Sequence, residues 1–171
     1  MTWTVPEPSP VDGPMTGPDR PILEAYLNYQ RTVLLNVCAG LTGEQLATRP
    51  LASSNLSLLG LVRHMAWVER TWFRERARGQ LLEPMYDPAR GKNTDFDDLD
   101  PAEAEAALAR LQGEWRLCDE AVAGMAFEDT FEHRGEQQSL RFTYVHMIAE
   151  YARHNGHADL LREAIDGVTG R

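Results

Sequence analysis

From Asp19 onward, apolar residues recur at three- and four-residue intervals, the spacing of a helix with one buried face. Ile22, Leu23, Tyr26, Leu27, Val33, Leu34 and Val37 predict a first amphipathic helix that ends near Gly40. Thr42 and Gln45 have the spacing of a capping box and open a short turn that Pro50 terminates. Ser57 is placed to cap a second helix running to about Arg78. Leu58, Leu61, Met65, Val68 and Trp72 lie on one side of it, Arg63, Arg70 and Arg74 on the other, and Gly79 stops it. Residues 80–100 hold two prolines, one glycine and five aspartates, which predicts a long connection where a lid or substrate loop could sit. Asp100 followed by Pro101 is a cap and first-turn pair. The run Ala104, Leu108, Leu111, Trp115, Cys118, Val122 and Met125 then continues with helical spacing. A turn containing Gly135 leads to Ser139, and a last helix runs from there to about Asp166, with Gly167 as its stop. No segment alternates as a strand does. Four long helices joined by one long crossover connection predict an all-α four-helix bundle.

Composition sets the limits of this picture. Residues 1–18 carry five prolines and two glycines without periodicity and read as a flexible N-terminal arm, which leaves residues 19–171 as a single bundle domain. The 171 residues suffice for one domain with a real core. Acidic residues outnumber basic ones 26 to 17, for a formal charge of −9, so no nucleic-acid partner is expected. No apolar run has the length of a membrane span, and the first 18 residues lack the basic start and apolar stretch of a signal peptide. No membrane partner and a cytoplasmic location are therefore expected. Cys38 and Cys118 fall on the apolar faces of separate helices, without the close spacing of a redox or zinc pair, and are expected as buried thiols.

Candidate chemistry lies with the histidines. At about 100° per residue, His146, Glu150, His154 and His157 of the last helix fall within an arc of roughly 80°. Met147, Leu161 and Ile165 flank this stripe, so polar groups enter the bundle interior. Unpartnered there, each would cost about 1–3 kcal/mol. His64 sits among Leu61, Met65, Val68 and Trp72 on the inward side of the second helix. A divalent metal ion on His64, His154 and His157 satisfies all three imidazoles. Neutral imidazole suits Zn, Ni, Cu or Fe better than Mg or Ca, and three protein ligands leave positions open for water or substrate. Glu150, one turn before His154, is expected as the carboxylate that orients the imidazole, or as a ligand itself. His146 either replaces one of the three or lines the pocket, and His133, in a turn, is not expected to bind. The pattern lacks the paired Glu-x-x-His motifs of a di-iron centre, so one metal is expected rather than two.

Two segments, LVRHMAWVERTWF in the second helix and HMIAEYARHNGHADLLREAIDG in the last, resemble the DinB-like superfamily, above all its actinobacterial branch of thiol-dependent transferases. The resemblance spans the chain after the arm. It implies a four-helix bundle with zinc or nickel held by one histidine of the second helix and two of the last, positions that match His64, His154 and His157. Many members space the last pair by four residues and follow it with Arg-Gly-Gln. Here the spacing is three and Ala-Asp-Leu follows, which keeps His146 and Glu150 open as alternative ligands. The resemblance further implies a mycothiol-like cosubstrate joined to an electrophile, as in detoxification, and often a homodimer. In that setting Glu150 is the catalytic candidate, Trp67, Trp72, Trp115 or Tyr144 would wall the pocket, and Arg153 or Arg162 would meet an anionic thiol. A non-catalytic bundle that binds a metal or ligand and a metal-dependent hydrolase are the competing readings.

Overall fold

The computed structural model describes residues 2–87, 89, 91 and 93–169. Met1 of the expected arm, Pro88, Arg90 and Lys92 of the expected crossover, and Gly170 and Arg171 at the end of the expected bundle lie outside the described residues. Four long helical segments form the bundle: α1 (Asp19–Cys38), α3 (Leu58–Glu69), which continues as a π-helical segment (Arg70–Ala77), α5 (Ala104–Val122) and α6 (Leu140–Asp166). A short α2 (Gly43–Ala47) follows α1, and a single turn, α4 (Thr94–Asp97), closes the crossover. The fold is the all-α bundle that the spacing predicts. The caps are those the sequence offers: the Thr42 and Gln45 side chains bond reciprocally to each other's backbone, Ser57 accepts from the Gly60 amide, and Ser139 accepts from the Phe142 amide. Gly167, with φ +77°, ends α6 in the left-handed region.

Leu34, Cys38, Leu46, Leu58, Leu61, Val62, Met65, Leu111, Met147, Tyr151 and Ala158 interlock in the core, and α1 packs chiefly on α6 while α3 packs on α5. At its centre lies a polar knot that joins all four long helices. Arg31 of α1 clasps Glu69 of α3 through two parallel bonds, Nε to Oε1 at 2.7 Å and Nη2 to Oε2 at 2.8 Å, with both residues buried. Its remaining nitrogen, Nη1, donates to Asn28 Oδ1 at 2.8 Å and to Asp119 of α5 at 3.1 Å. Trp115 Nε1 donates to the hydroxyl of Tyr151 on α6 at 2.8 Å. Burial, reinforced by the Glu69 carboxylate, pushes that hydroxyl's pKa well above its ordinary value.

Three features depart from the sequence reading. Where only a turn around Gly135 is expected, strands β1 (Thr130–His133) and β2 (Glu136–Ser139) form an antiparallel hairpin with Thr130 opposite Ser139 and His133 opposite Glu136. Each strand has only four residues, too few for alternation to register. Second, α3 gives way at Arg70 to wider π turns, which hydrophobic spacing over eight residues does not reveal. Third, the segment expected as a flexible arm is docked near its start. Val5 is buried, its amide donates to Leu41 O at 3.0 Å, and its carbonyl accepts from the Gly40 amide at 2.9 Å. No helix among the described residues is long and apolar enough to cross a membrane.

Candidate functional site

His64 points from the middle of α3 toward α4 and α6. Its Nδ1 lies 2.7 Å from Oδ2 of Asp95, a buried residue of α4. Accepting the Nδ1 proton, Asp95 fixes the tautomer and leaves the lone pair on Nε2. Asp95 reaches this position because its neighbour Phe96 seats against Gly60, where a Cβ would fall 2.8 Å from the phenylalanine Cδ1. The Phe96 ring then lies 4.9 Å from the imidazole of His64. Arg63 secures the same crossover by donating to the carbonyls of Asp98 and Thr94, and Tyr86 donates to the Arg63 carbonyl at 2.8 Å.

The last helix meets this group with the expected stripe. The ring of His154 lies 4.9 Å from that of His64, edge to face, and the ring of His157 lies 5.5 Å from His154. Glu150 stands between two imidazoles, 3.6 Å from His146 Nε2 and 3.6 Å from His154 Nε2. The three expected ligands are therefore neighbours, with Glu150 beside one of them. His146 is set one step away, its ring 3.9 Å from Trp72. His133 lies on β1, beside Arg76 and Arg134. Among the described residues, no group of three or more His, Cys, Asp or Glu side chains is gathered ready to hold a metal ion.

Two buried nitrogens in this cluster lack partners: Nδ1 of His154 and Nδ1 of His157. An unpaired buried nitrogen is costly, and here two lie on successive ligand candidates. Burial first, then the facing His64, lowers the pKa of His154 to about 4, so its imidazole is neutral at pH 7. Burial lowers the His146 pKa as well, against the opposing pull of Glu150. The donor set is thus imidazole nitrogen, neutral at His154, with one carboxylate beside it, which suits a borderline divalent cation such as zinc or nickel.

In metal-free protein the sign of the His154 effect is fixed. The unfolded imidazole titrates near 6.5 and the folded one near 4, so the folded chain binds fewer protons between those values. The stability this site contributes is fully present above about pH 6.5 and is lost as the pH falls toward 4. Urea midpoints measured across this window should fall more steeply for the chelated wild type than for His154→Gln; equal slopes would contradict the assignment.

Other candidate residues separate into site and scaffold. Trp67 is 43% exposed, its ring 5.9 Å from His64, and it borders a cleft of about 670 Å³ walled by Leu82, Met85, Tyr86 and Asp95. Trp72 carries His146. Trp115 belongs to the polar knot, and Tyr144 is buried against Phe73 and Phe127. Arg162 donates to the carbonyls of Val37 and Ala39, satisfying the end of α1, while Arg153 is exposed. Both cysteines are free and buried, and burial raises the Cys38 thiol to about 12, so neither is a nucleophile at neutral pH. Sequence reasoning missed Asp95 and Glu69. The first is one of several aspartates in a connection, but Gly60 in the first turn of α3 signals the close packing that brings it in.

Neither the curated proteins nor the solved structures contain a match to the chain. The family model for mycothiol S-transferases, by contrast, matches residues 22–167, an interval that takes in all four long helices except the first three residues of α1, together with every histidine of the cluster. On that match the chain belongs to the mycothiol S-transferase family.

Proposed function

We propose that the protein transfers a low-molecular-weight thiol, mycothiol or a close analogue, to an electrophile in the cytoplasm, as in detoxification, at a divalent metal site made by His64, His154 and His157. The observation that carries this reading is the pair of orphaned buried imidazole nitrogens on His154 and His157 beside an imidazole whose tautomer Asp95 fixes. When bound, zinc or nickel would lower the pKa of a coordinated thiol and so supply the nucleophile near neutral pH.

The remaining work falls to the chain itself. Asp95 holds His64 in the tautomer that offers Nε2. Burial keeps His154 neutral, so its lone pair is available without a deprotonation step. Glu150, within 3.6 Å of both His146 and His154, is placed to receive the thiol proton and pass it toward solvent through His146. The thiolate sulfur then bonds to the electrophilic carbon as a leaving group departs with the bonding pair, or as the pair of a double bond shifts to its far end, and the anion formed takes a proton from solvent. The cleft bordered by Trp67 and Tyr86 opens beside Asp95 and is positioned to take one of the two substrates. Free, buried cysteines fit a reducing compartment.

The test is elemental analysis of tag-free protein as purified, after chelation and after refilling, followed by turnover of a model electrophile with mycothiol. About one zinc or nickel per chain with thiol-dependent turnover lost on chelation is expected. Stoichiometric metal without turnover would favour a binding bundle, turnover by water alone would favour a hydrolase, and no metal after refilling would end the metal reading.

A further inference from the structure

On one corner of the surface two arginines, Arg76 and Arg134, stand together in a chain whose net charge is −9. The guanidinium of Arg76 lies over Trp72, 4.1 Å from the ring centroid. Its neighbours on the π segment are paired: Arg74 with Glu114 at 2.7 Å, and Arg70 with Glu75 at 3.3 Å. Glu75 also accepts from Thr71, and among the described residues no carboxylate lies within ion-pair distance of Arg76. Arg76 faces more positive charge instead. Hairpin strand β1 packs on the π segment and brings Arg134 and His133 alongside it.

Two observations make this more than a surplus of charge. Arg134 has φ +55° and Gly135 φ +82°, so the two-residue loop of the hairpin has both residues in the left-handed region. Asn-Gly is the ordinary sequence there, and an arginine is strained in that conformation. The loop thus holds a cation where a smaller residue would fold more easily. Burial and then Arg134 lower the Arg76 pKa against a smaller opposing pull from Glu75. The corner also connects to the histidine cluster. Trp72 carries His146 at 3.9 Å, His146 lies 3.6 Å from Glu150, and Glu150 lies 3.6 Å from His154. Phe142, 46% exposed, stacks on His146 at 6.0 Å and lies 6.3 Å from the Trp72 ring that Arg76 covers.

We infer that Arg76 and Arg134 form a carboxylate-binding subsite, with Phe142 as the surface for the attached flat group, and that the molecule it takes is a planar, conjugated carboxylate. A guanidinium fixed over an aromatic ring keeps its fork of donors in a set orientation, which suits two-point contact with a carboxylate. As the subsite for the electrophile, this rests on the transfer reading above; as an anion site it stands without it.

Cinnamate and its neutral isostere cinnamamide are the probes, with binding to the full-length protein followed by calorimetry at low and moderate salt, in the absence of thiol. Cinnamate should bind at least ten-fold more tightly than the amide and weaken with salt. Arg76→Gln and Arg134→Gln should each cost five-fold or more, while the exposed Arg116→Gln should cost nothing. Circular dichroism establishes that each variant is folded, and Arg134, at a hairpin tip, keeps the test valid if Arg76→Gln does not fold. Equal affinity for acid and amide, no saturable binding, or binding indifferent to Arg134 would overturn the subsite. Because no thiol is present, these outcomes do not depend on whether transfer occurs.

Discussion

Glu69→Ala is expected to lower stability by about 3–5 kcal/mol, because it strands the Arg31 guanidinium in the core without its two-point partner. For a domain of this length, that corresponds to a fall in Tm of roughly 6–20 °C. The loss comes from the uncompensated charge and not from missing contacts, so the double change Arg31→Met with Glu69→Leu should regain most of it. Chemical denaturation of the wild type and the two variants measures both effects. If the double variant is as unstable as Glu69→Ala, the penalty lies in packing and the account is wrong. Glu69 also begins the turn at which α3 changes pitch and stands one residue from Val68 in the core, so the single variant should broaden the unfolding transition as well.

His64→Ala and His154→Ala are expected to abolish retention of zinc or nickel through gel filtration and to reduce thiol-dependent turnover at least a hundred-fold. His133→Ala, on the hairpin, should leave both unchanged. Asp95→Asn is the more discriminating variant. It keeps the shape but weakens the acceptor that fixes His64, and loss of such a supporting carboxylate typically costs about 10–100-fold in metal affinity. Equal metal contents in His64→Ala and His133→Ala would refute the assignment. An Asp95→Asn protein with wild-type affinity would refute the supporting role alone.

The bundle was legible because each helix writes its boundaries locally. Thr42 with Gln45, Ser57, Asp100 before Pro101, Ser139 and Gly167 all cap or stop the helices they border in the sequence reading, and their geometry follows. The stripe His146, Glu150, His154 and His157 was legible for the same reason, since one helix sets its angles. What joins different elements was not. Nothing in the spacing ties Arg31 to Glu69 across 38 positions, or singles out Asp95 among the aspartates of the crossover. The docking of Val5 likewise depends on two backbone bonds with the turn after α1, which carry no side-chain signal. The hairpin was hidden by its brevity, with a left-handed arginine where loop chemistry favours asparagine.

A π-helical segment is, in terms of chain length, an α-helix with residues to spare. Removing one residue between Arg70 and Ala77 would let α3 run on at α pitch, and because the wider turns absorb that residue, everything after the deletion would keep nearly the same face. His64, on the near side of the segment, would stay in place beside Asp95, while a deletion between Trp72 and Arg76 would set the arginine one residue closer to the ring it covers. Insertions and deletions at this one turn therefore form a switch separate from point substitution. They offer a route by which chains of this fold could change the cation set against the aromatic corner while leaving the histidines untouched.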